Sequence, residues 1–241
     1  MRVVLACCAL ACAFLATPAS AQLAIDRLWV DFEPGTPNRA DLIIRNESTD
    51  RYYITVSPVE VKDAGAADEQ RVETADPEQL GLLVSPNRLV LDPGSMRAIR
   101  VVSLNTQVAS DRVYRIRVTP QVGDIETEAT SGDARGMTVK LLTAYDILVT
   151  VRPNKPDANL VAVREAGDLV IRNQGNTNTL LFDGAACPAG SSSATPDACE
   201  DLGARRLYAG NEWRIPLKDA QAKVRFKERR FAGADPREVA Y

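Results

Sequence analysis

Residues 137 to 153 read "MTVKLLTAYDILVTVRP", and in steps of two they run Met137, Val139, Leu141, Thr143, Tyr145, Ile147, Val149, Val151. That is one apolar face at strand period with a single polar lapse. At about 3.3 Å per residue the face would extend roughly 50 Å, against roughly 17–20 Å for an ordinary strand. The pattern predicts a strand too long for one small sandwich. Tyr145 to Val151 would line the inner face of their own domain, and Met137 to Leu141 would be left over. Thr138 and Lys140 fall on the opposite face, where polar and charged side chains discourage edge-to-edge aggregation.

Upstream of this stretch the chain reads as strands punctuated by turns. "LAIDRLWVDF" (23–32) reads as one strand and "EPGTPN" as a turn. "RADLIIRNES" and "RYYITVSPVEV" read as a hairpin, and further strands flank "DPGS" in residues 82–105. "DRVYRIRVTPQV" (111–122) follows, with Tyr114, Ile116 and Val118 as its core face. The polar residues 63–79 read as a surface loop, and "QVGDIETEATSGDARG" as a mobile acidic loop. Short β segments at this spacing predict an immunoglobulin-like sandwich. Downstream, "NKPDAN" (154–159) suits a short linker, and the strand signal resumes on a smaller scale from about Leu160, with "AGADPREVAY" as a loose tail. The fold class is therefore all-β: two immunoglobulin-like sandwiches over 22–153 and 154–241.

Residues 1–21 read as an address. Arg2 precedes an apolar run to Leu15, followed by Pro18 and the small residues "ASA" before Gln22, as in a secretory signal peptide cleaved after Ala21. Nothing downstream approaches the roughly 20 apolar residues of a membrane span, so no stable membrane insertion is expected. Cleavage removes Cys7, Cys8 and Cys12 and leaves Cys187 and Cys199. In an oxidising compartment such a pair forms a disulfide, the alternative being two unlinked thiols. The 241-residue chain has no histidine. That excludes Ser-His-Asp and Cys-His catalysis and the zinc motifs built on histidine, and two cysteines do not complete a zinc set. No metal, cofactor or catalytic residue is expected. A net charge of −3 speaks against nucleic acid as a partner.

Several segments, in order, resemble the periplasmic pilus-assembly chaperones of Gram-negative bacteria: "DRLWVDF", "LIIRNEST", "DPGSMRAIRV", "VYRIRVTP" and "ILVTVRP" in the first half, "LVIRNQGNTNTLLFDG" and "LYAGNEWRIPL" in the second. The resemblance covers nearly the whole chain after the leader. It implies a non-enzymatic periplasmic protein that lends its long strand to a pilus subunit whose own sandwich lacks one, and delivers that subunit to an outer-membrane usher. Chaperone and pilin pairing is itself a standard example of strand addition. The donated residues would be Met137, Val139, Leu141 and Thr143, and the loop before them would order as a subunit arrives. Arg152 corresponds to a family arginine that bridges the domains by ion pairing and is expected to set the interdomain angle more than stability.

The chain also departs from the family pattern. The family holds the subunit's terminal carboxylate with an arginine on the first strand and a lysine on the last. Those positions align with Trp29 and Leu148, neither of which can bind a carboxylate, so the chain resembles a divergent or archaic branch. Arg115 is the preferred substitute, with Arg117, Arg100 and Arg27 as further candidates, because a guanidinium fork pairs with a carboxylate in two-point geometry. A second reading is a secreted immunoglobulin-like adhesin or structural pilus subunit. Such a subunit should carry a donor extension before its first strand, and here Gln22 leads almost directly into "LAIDRLWVDF".

Overall fold

The computed structural model describes residues 22–105, 107–123, 140–188 and 199–241. The leader, most of the acidic loop, and Met137 and Val139 lie outside the described residues. In chain order the first set of elements is β1 (Leu23–Ile25), β2 (Trp29–Phe32), β3 (Arg39–Asn46), β4 (Tyr52–Lys62), β5 (Gln70–Val72), the one-turn helix α1 (Pro77–Leu80), β6 (Leu82–Ser85), β7 (Arg88–Leu91), β8 (Met96–Ser103), β9 (Arg112–Val122) and β10 (Tyr145–Val151). They form a four-stranded sheet in the order β1-β3-β8-β6, facing a six-stranded sheet in the order β2-β10-β9-β4-β5 with β7 also on β4. Between the sheets lie Leu42, Ile44, Ile99 and Val101 from one side and Ile54, Tyr114, Ile116, Val118, Ile147 and Val149 from the other, all buried. β-Branched and aromatic side chains at every second position are what such a half-buried pleated surface favours.

Several sequence expectations are corrected here. "LAIDRLWVDF" is two strands in different sheets. Leu23 is buried from the odd positions, but Val30 and Phe32 are buried from the even ones, so the phase must break between them. Asp26 makes the break by accepting the Ile43 N–H at 2.8 Å. The change of phase turns Trp29 away from the core. β3 and β4 do not form a hairpin but arch between the two sheets. Buried Asn46 holds the arch, donating to the Asp50 and Leu91 carbonyls and accepting from Ser48. Residues 63–79 are not merely a loop: they contain β5 and the start of α1, which is capped by Asp76, whose carboxylate accepts the Glu78 N–H, and by Gly81 in the left-handed region.

The described part of the decisive stretch, residues 140–153, holds a strand shorter than the pattern. Among the described residues of the stretch only Tyr145–Val151 is strand, and Lys140–Ala144 has no strand partner there. Alternation prepares a face for burial, but a strand also needs a neighbour for its backbone groups. β9 supplies one only as far back as Tyr145.

The second set comprises β11 (Leu160–Glu165), β12 (Asp168–Asn173), β13 (Thr179–Cys187), β14 (Glu200–Leu202), β15 (Arg205–Leu207), β16 (Glu212–Pro216), β17 (Lys223–Arg229) and β18 (Arg237–Ala240). A three-stranded sheet, β11-β12-β16, packs on a five-stranded one built around β13 and β17. Their core is separate from the first and includes Leu169, Ile171, Leu181, Ile215, Val224 and Phe226. Gly184 sits at a bulge in β13 where a Cβ would fall 2.2 Å from the Phe226 ring. The C-terminal residues are not a loose tail. β18 pairs with β17, Tyr241 exchanges both backbone hydrogen bonds with Val224, and Arg237 reaches the buried carboxylate of Glu228.

Cys187 and Cys199 are joined as a disulfide. Closing a loop of that size restricts the unfolded chain by about 3 kcal/mol. Replacing both cysteines by serine should therefore lower the denaturant-derived unfolding free energy by about that amount. Dithiothreitol should destabilise the parent protein to a similar degree and leave the double variant unchanged.

Candidate functional site

The final residues of β10 carry the chain out of the first sandwich and into the junction with the second. Arg152 follows β10 directly and is 3% exposed, so the expectation of a weak surface pair is corrected: this is a buried bridge. Its Nε and Nη2 lie 3.0 Å from Asp31 Oδ1 in β2. Its Nη1 donates to Thr177 Oγ1 at 2.5 Å and to the Asn178 carbonyl at 3.2 Å in the second sandwich. The Thr177 hydroxyl in turn donates to Asp111 Oδ1 at 2.7 Å, while Asn178 donates its backbone and side-chain N–H groups to Asp111 Oδ2. Asp31 Oδ2 accepts the Ala232 N–H at 2.6 Å. Burial pushes the Asp111 carboxyl above its usual range, against the opposing pull of Arg152 and these donors.

A second contact closes the junction on its other side. Asn211 Nδ2 donates to the Ala64 carbonyl at 2.8 Å. Gly65, with φ of +73°, lies so close to Asn211 and Tyr208 that a Cβ would collide with both. Tyr208 and Trp29 pack with Val61, Ala64, Val113 and Leu148 into a small apolar cluster. This cluster is built from the outward faces of β4, β9, β10 and β2, the reverse of the main core. Trp29 and Leu148 are register partners in the parallel β2-β10 pair. The two positions aligned with the family's basic anchors thus lie side by side in this cluster, as apolar residues.

The four candidate anchors are distributed unequally. Arg115 lies opposite Leu148 on β9, half-buried on the cleft side, with Nη1 3.4 Å from the Asp146 carbonyl. Arg117 is two residues further along and exposed. Arg100 belongs to the other sheet and is engaged by both Asp41 oxygens at 2.8 and 3.0 Å. Arg27 is exposed in the β1-β2 connection, paired with Asp26 at 2.8 Å. The structure therefore brings one of them, Arg115, to the cluster. It adds Arg206, which sequence reasoning missed: its guanidinium lies 3.9 Å from the centroid of the Trp29 ring. Arg206 lies on β15 in the second sandwich, whereas the four candidates named from the sequence all lie in the first.

β10 is paired unequally along its length. β9 accompanies it from Tyr145 to Val151, but β2 pairs only with Leu148 to Val151. The Leu148 N–H donates to the Leu28 carbonyl on the β2 side. By the two-residue alternation, Asp146 directs its N–H and C=O to the same side, beyond the reach of β2. Just before this edge Leu141 is 80% exposed and Leu142 37%. Thr143 is exposed too. Lys140 is held by Asp50, and the Tyr145 hydroxyl donates to the Leu23 carbonyl.

No model of a known protein family matches the chain, and no curated protein sequence does. Solved structures do. The class 5 fimbriae chaperone CfaA superposes with a TM-score of 0.64 at 17% identity, over 91% of this chain and 97% of that one. A complex of the SafB chaperone with the SafA pilin of Salmonella enterica gives 0.63 at 13%, over 93% and 99%. The CsuC–CsuE chaperone-tip adhesion subunit pre-assembly complex, from the archaic chaperone-usher Csu pili of Acinetobacter baumannii, gives 0.60 at 11%, over 91% and 98%. The fold is that of the fimbrial chaperones. Coverage of both chains in each comparison makes the two-sandwich arrangement the shared feature. Among the described residues no helix is long and apolar enough to cross a membrane.

Removing one partner of a buried ion pair leaves the other charge desolvated, at a cost of about 3–5 kcal/mol. Arg152→Ala is expected to lower the unfolding free energy by about that much, read from chemical denaturation. Arg152→Lys should recover only part of it, because a single ammonium cannot span Asp31 and the Thr177–Asn178 pair as the guanidinium does.

Proposed function

We propose that this protein is a non-enzymatic chaperone of pilus assembly, acting in the periplasm once residues 1–21 have been removed, and a divergent or archaic member of the chaperone family. It captures a pilus subunit by lending the segment that precedes and includes the start of β10. It then delivers the subunit to an outer-membrane usher. The observation that carries the reading is the half-open edge of β10: among the described residues no strand pairs with Asp146 on the β2 side, and the exposed Leu141 leads into it. An incoming sheet edge can satisfy those groups, and alternate side chains fill its groove.

The donated side chains are Met137, Val139 and Leu141, with Thr143 closing the series. Burying the three apolar ones in a partner contributes about 5–8 kcal/mol before ordering costs. Tyr145, Ile147, Val149 and Val151 continue the same alternation but serve the protein's own core. The solved complexes of SafB with a pilin and of CsuC with a tip subunit support the partner class. Arg115 is the member of the sequence-derived anchor set that the capture site would use, and Arg152 fixes the relation of the two sandwiches beside it.

The test is capture from the periplasm of the native host. A tagged wild-type chain should co-purify with a subunit identifiable by mass spectrometry. The variant carrying Val139→Asp and Leu141→Asp should retain the wild-type melting temperature and lose at least about tenfold of that capture, since two buried apolar contacts become two desolvated charges. Undiminished capture by the folded double variant overturns strand donation.

A further inference from the structure

The two outer faces of the second sandwich treat charge differently. On the three-stranded sheet, Arg172 of β12 lies 2.8 Å from both Glu165 and Glu212, and Arg214 of β16 lies 2.8 Å from Glu165 and 3.5 Å from Asp168. Cations and carboxylates there neutralise one another. On the other sheet, β17 carries Lys223, Arg225, Lys227 and Arg229 at every second position, and the intervening Val224, Phe226 and Glu228 are buried. Strand period therefore sets the four cations in one outward row, about 6.7 Å apart and about 20 Å long. Lys227 Nζ pairs with Asp183 at 3.1 Å and has Glu238 of β18 as its register partner. Among the described residues Lys223, Arg225 and Arg229 form no ion pair.

Two of these guanidinium groups are held against the sheet. Arg229 lies over the Phe182 ring of β13 at 5.1 Å, with its Nε buried and without a hydrogen-bond partner. Arg225 Nη2 approaches Cys187 Sγ at 3.9 Å. The register sets Leu180, Phe182, Ala185 and Cys187 of β13 opposite Arg229, Lys227, Arg225 and Lys223, so an apolar column runs beside the cationic one. Like charges at this spacing repel until opposite charges are brought to them, and forks already held in place lose little further freedom when they pair with a carboxylate. An extended polypeptide repeats its side chains at the same interval of about 6.7 Å, so carboxylates at alternate positions match the row. A membrane surface matches it less well. Among the described residues every exposed large hydrophobic side chain belongs to the first sandwich, which leaves the second with none to insert among lipid chains.

We infer that the outer face of β17 is a docking surface for an acidic polypeptide segment bound in extended form. Alternate carboxylates of that segment face Lys223, Arg225 and Arg229, and the stems of the same side chains rest on the apolar column of β13. β17 and β10 belong to different sandwiches, so docking here is independent of strand donation.

The experiment uses the whole chain after the leader and follows peptide binding by calorimetry and by nitrogen-edited NMR at low ionic strength. The probes are an acetylated, amidated nonapeptide of alternating threonine and glutamate, the same peptide with glutamine for glutamate, a peptide of the same composition with its glutamates contiguous, and vesicles of phosphatidylglycerol. The alternating acidic peptide should bind about tenfold more tightly than its glutamine counterpart, the combined advantage of three exposed ion pairs, and lose that advantage as salt is raised. Its amide shifts should centre on β13 and β17, and the contiguous peptide should bind more weakly. Combining Lys223→Gln, Arg225→Gln and Arg229→Gln should abolish the acid preference. The double variant that keeps Arg229 on Phe182 should reduce it and melt like the parent. Arg172→Gln with Arg214→Gln, on the opposite face, should leave it unchanged. Equal binding of the acidic and glutamine peptides, a preference that survives the triple variant, an equal loss in the opposite-face variant, contiguous binding as tight as alternating, or shifts centred on another face overturns the surface. Binding to the vesicles that depends on the row, with no preference among the peptides, assigns the face to a membrane and overturns it equally.

Discussion

The burial of Arg152 sets the terms for everything around it. A guanidinium taken out of water at the junction needs acceptors, and Nε obtains one from Asp31 in one sandwich and Nη1 two from Thr177 and Asn178 in the other, while Nη2 lies 3.0 Å from Asp31 Oδ1 without a hydrogen bond. The Thr177 hydroxyl then hands the chain of hydrogen bonds on to Asp111. Each link is satisfied only when the two sandwiches hold one mutual orientation, so a network of little net stabilising value becomes a device for geometry. The contact of Gly65 and Ala64 with Tyr208 and Asn211 fixes the opposite side of the same junction.

That orientation gives β10 three roles along one short strand. Its odd residues, Ile147, Val149 and Val151, enter the core of the first sandwich. Leu148, from the other face, joins Trp29 in the apolar cluster. Among the described residues, its leading end keeps one edge unpaired because β2 begins only opposite Leu148. A sheet edge of this kind is a liability in most proteins. Here it is short, preceded by Lys140 in an ion pair with Asp50, and sits beside the junction that orients the second sandwich.

Much of this was legible in the chain itself. Period-two alternation identified β9 and β10 and their inward faces. Turn residues gave the strand spacing, and Cys187 and Cys199 gave the disulfide. What failed did so for identifiable reasons. The arch at Asn46 looked like a hairpin because two strand signals with a short polar connection read the same whether the strands pair or cross between sheets. The C-terminal segment looked loose because its order comes from Val224, Glu228 and β17, distant in sequence.

By itself the sequence determined the class of fold, the number of sandwiches and the apolar faces, since these depend on local periodicity and on turn chemistry that neighbouring residues settle among themselves. The tertiary structure alone decided where β10 stops, which of several arginines meet in the junction and which are consumed at the surface. Arg100 and Arg206 are equally cationic on paper. One lies against Asp41 in exposed sheet, and the other over the Trp29 indole at the junction. The difference is one of desolvation and counter-ions, which exist only once separate strands have been brought together in space.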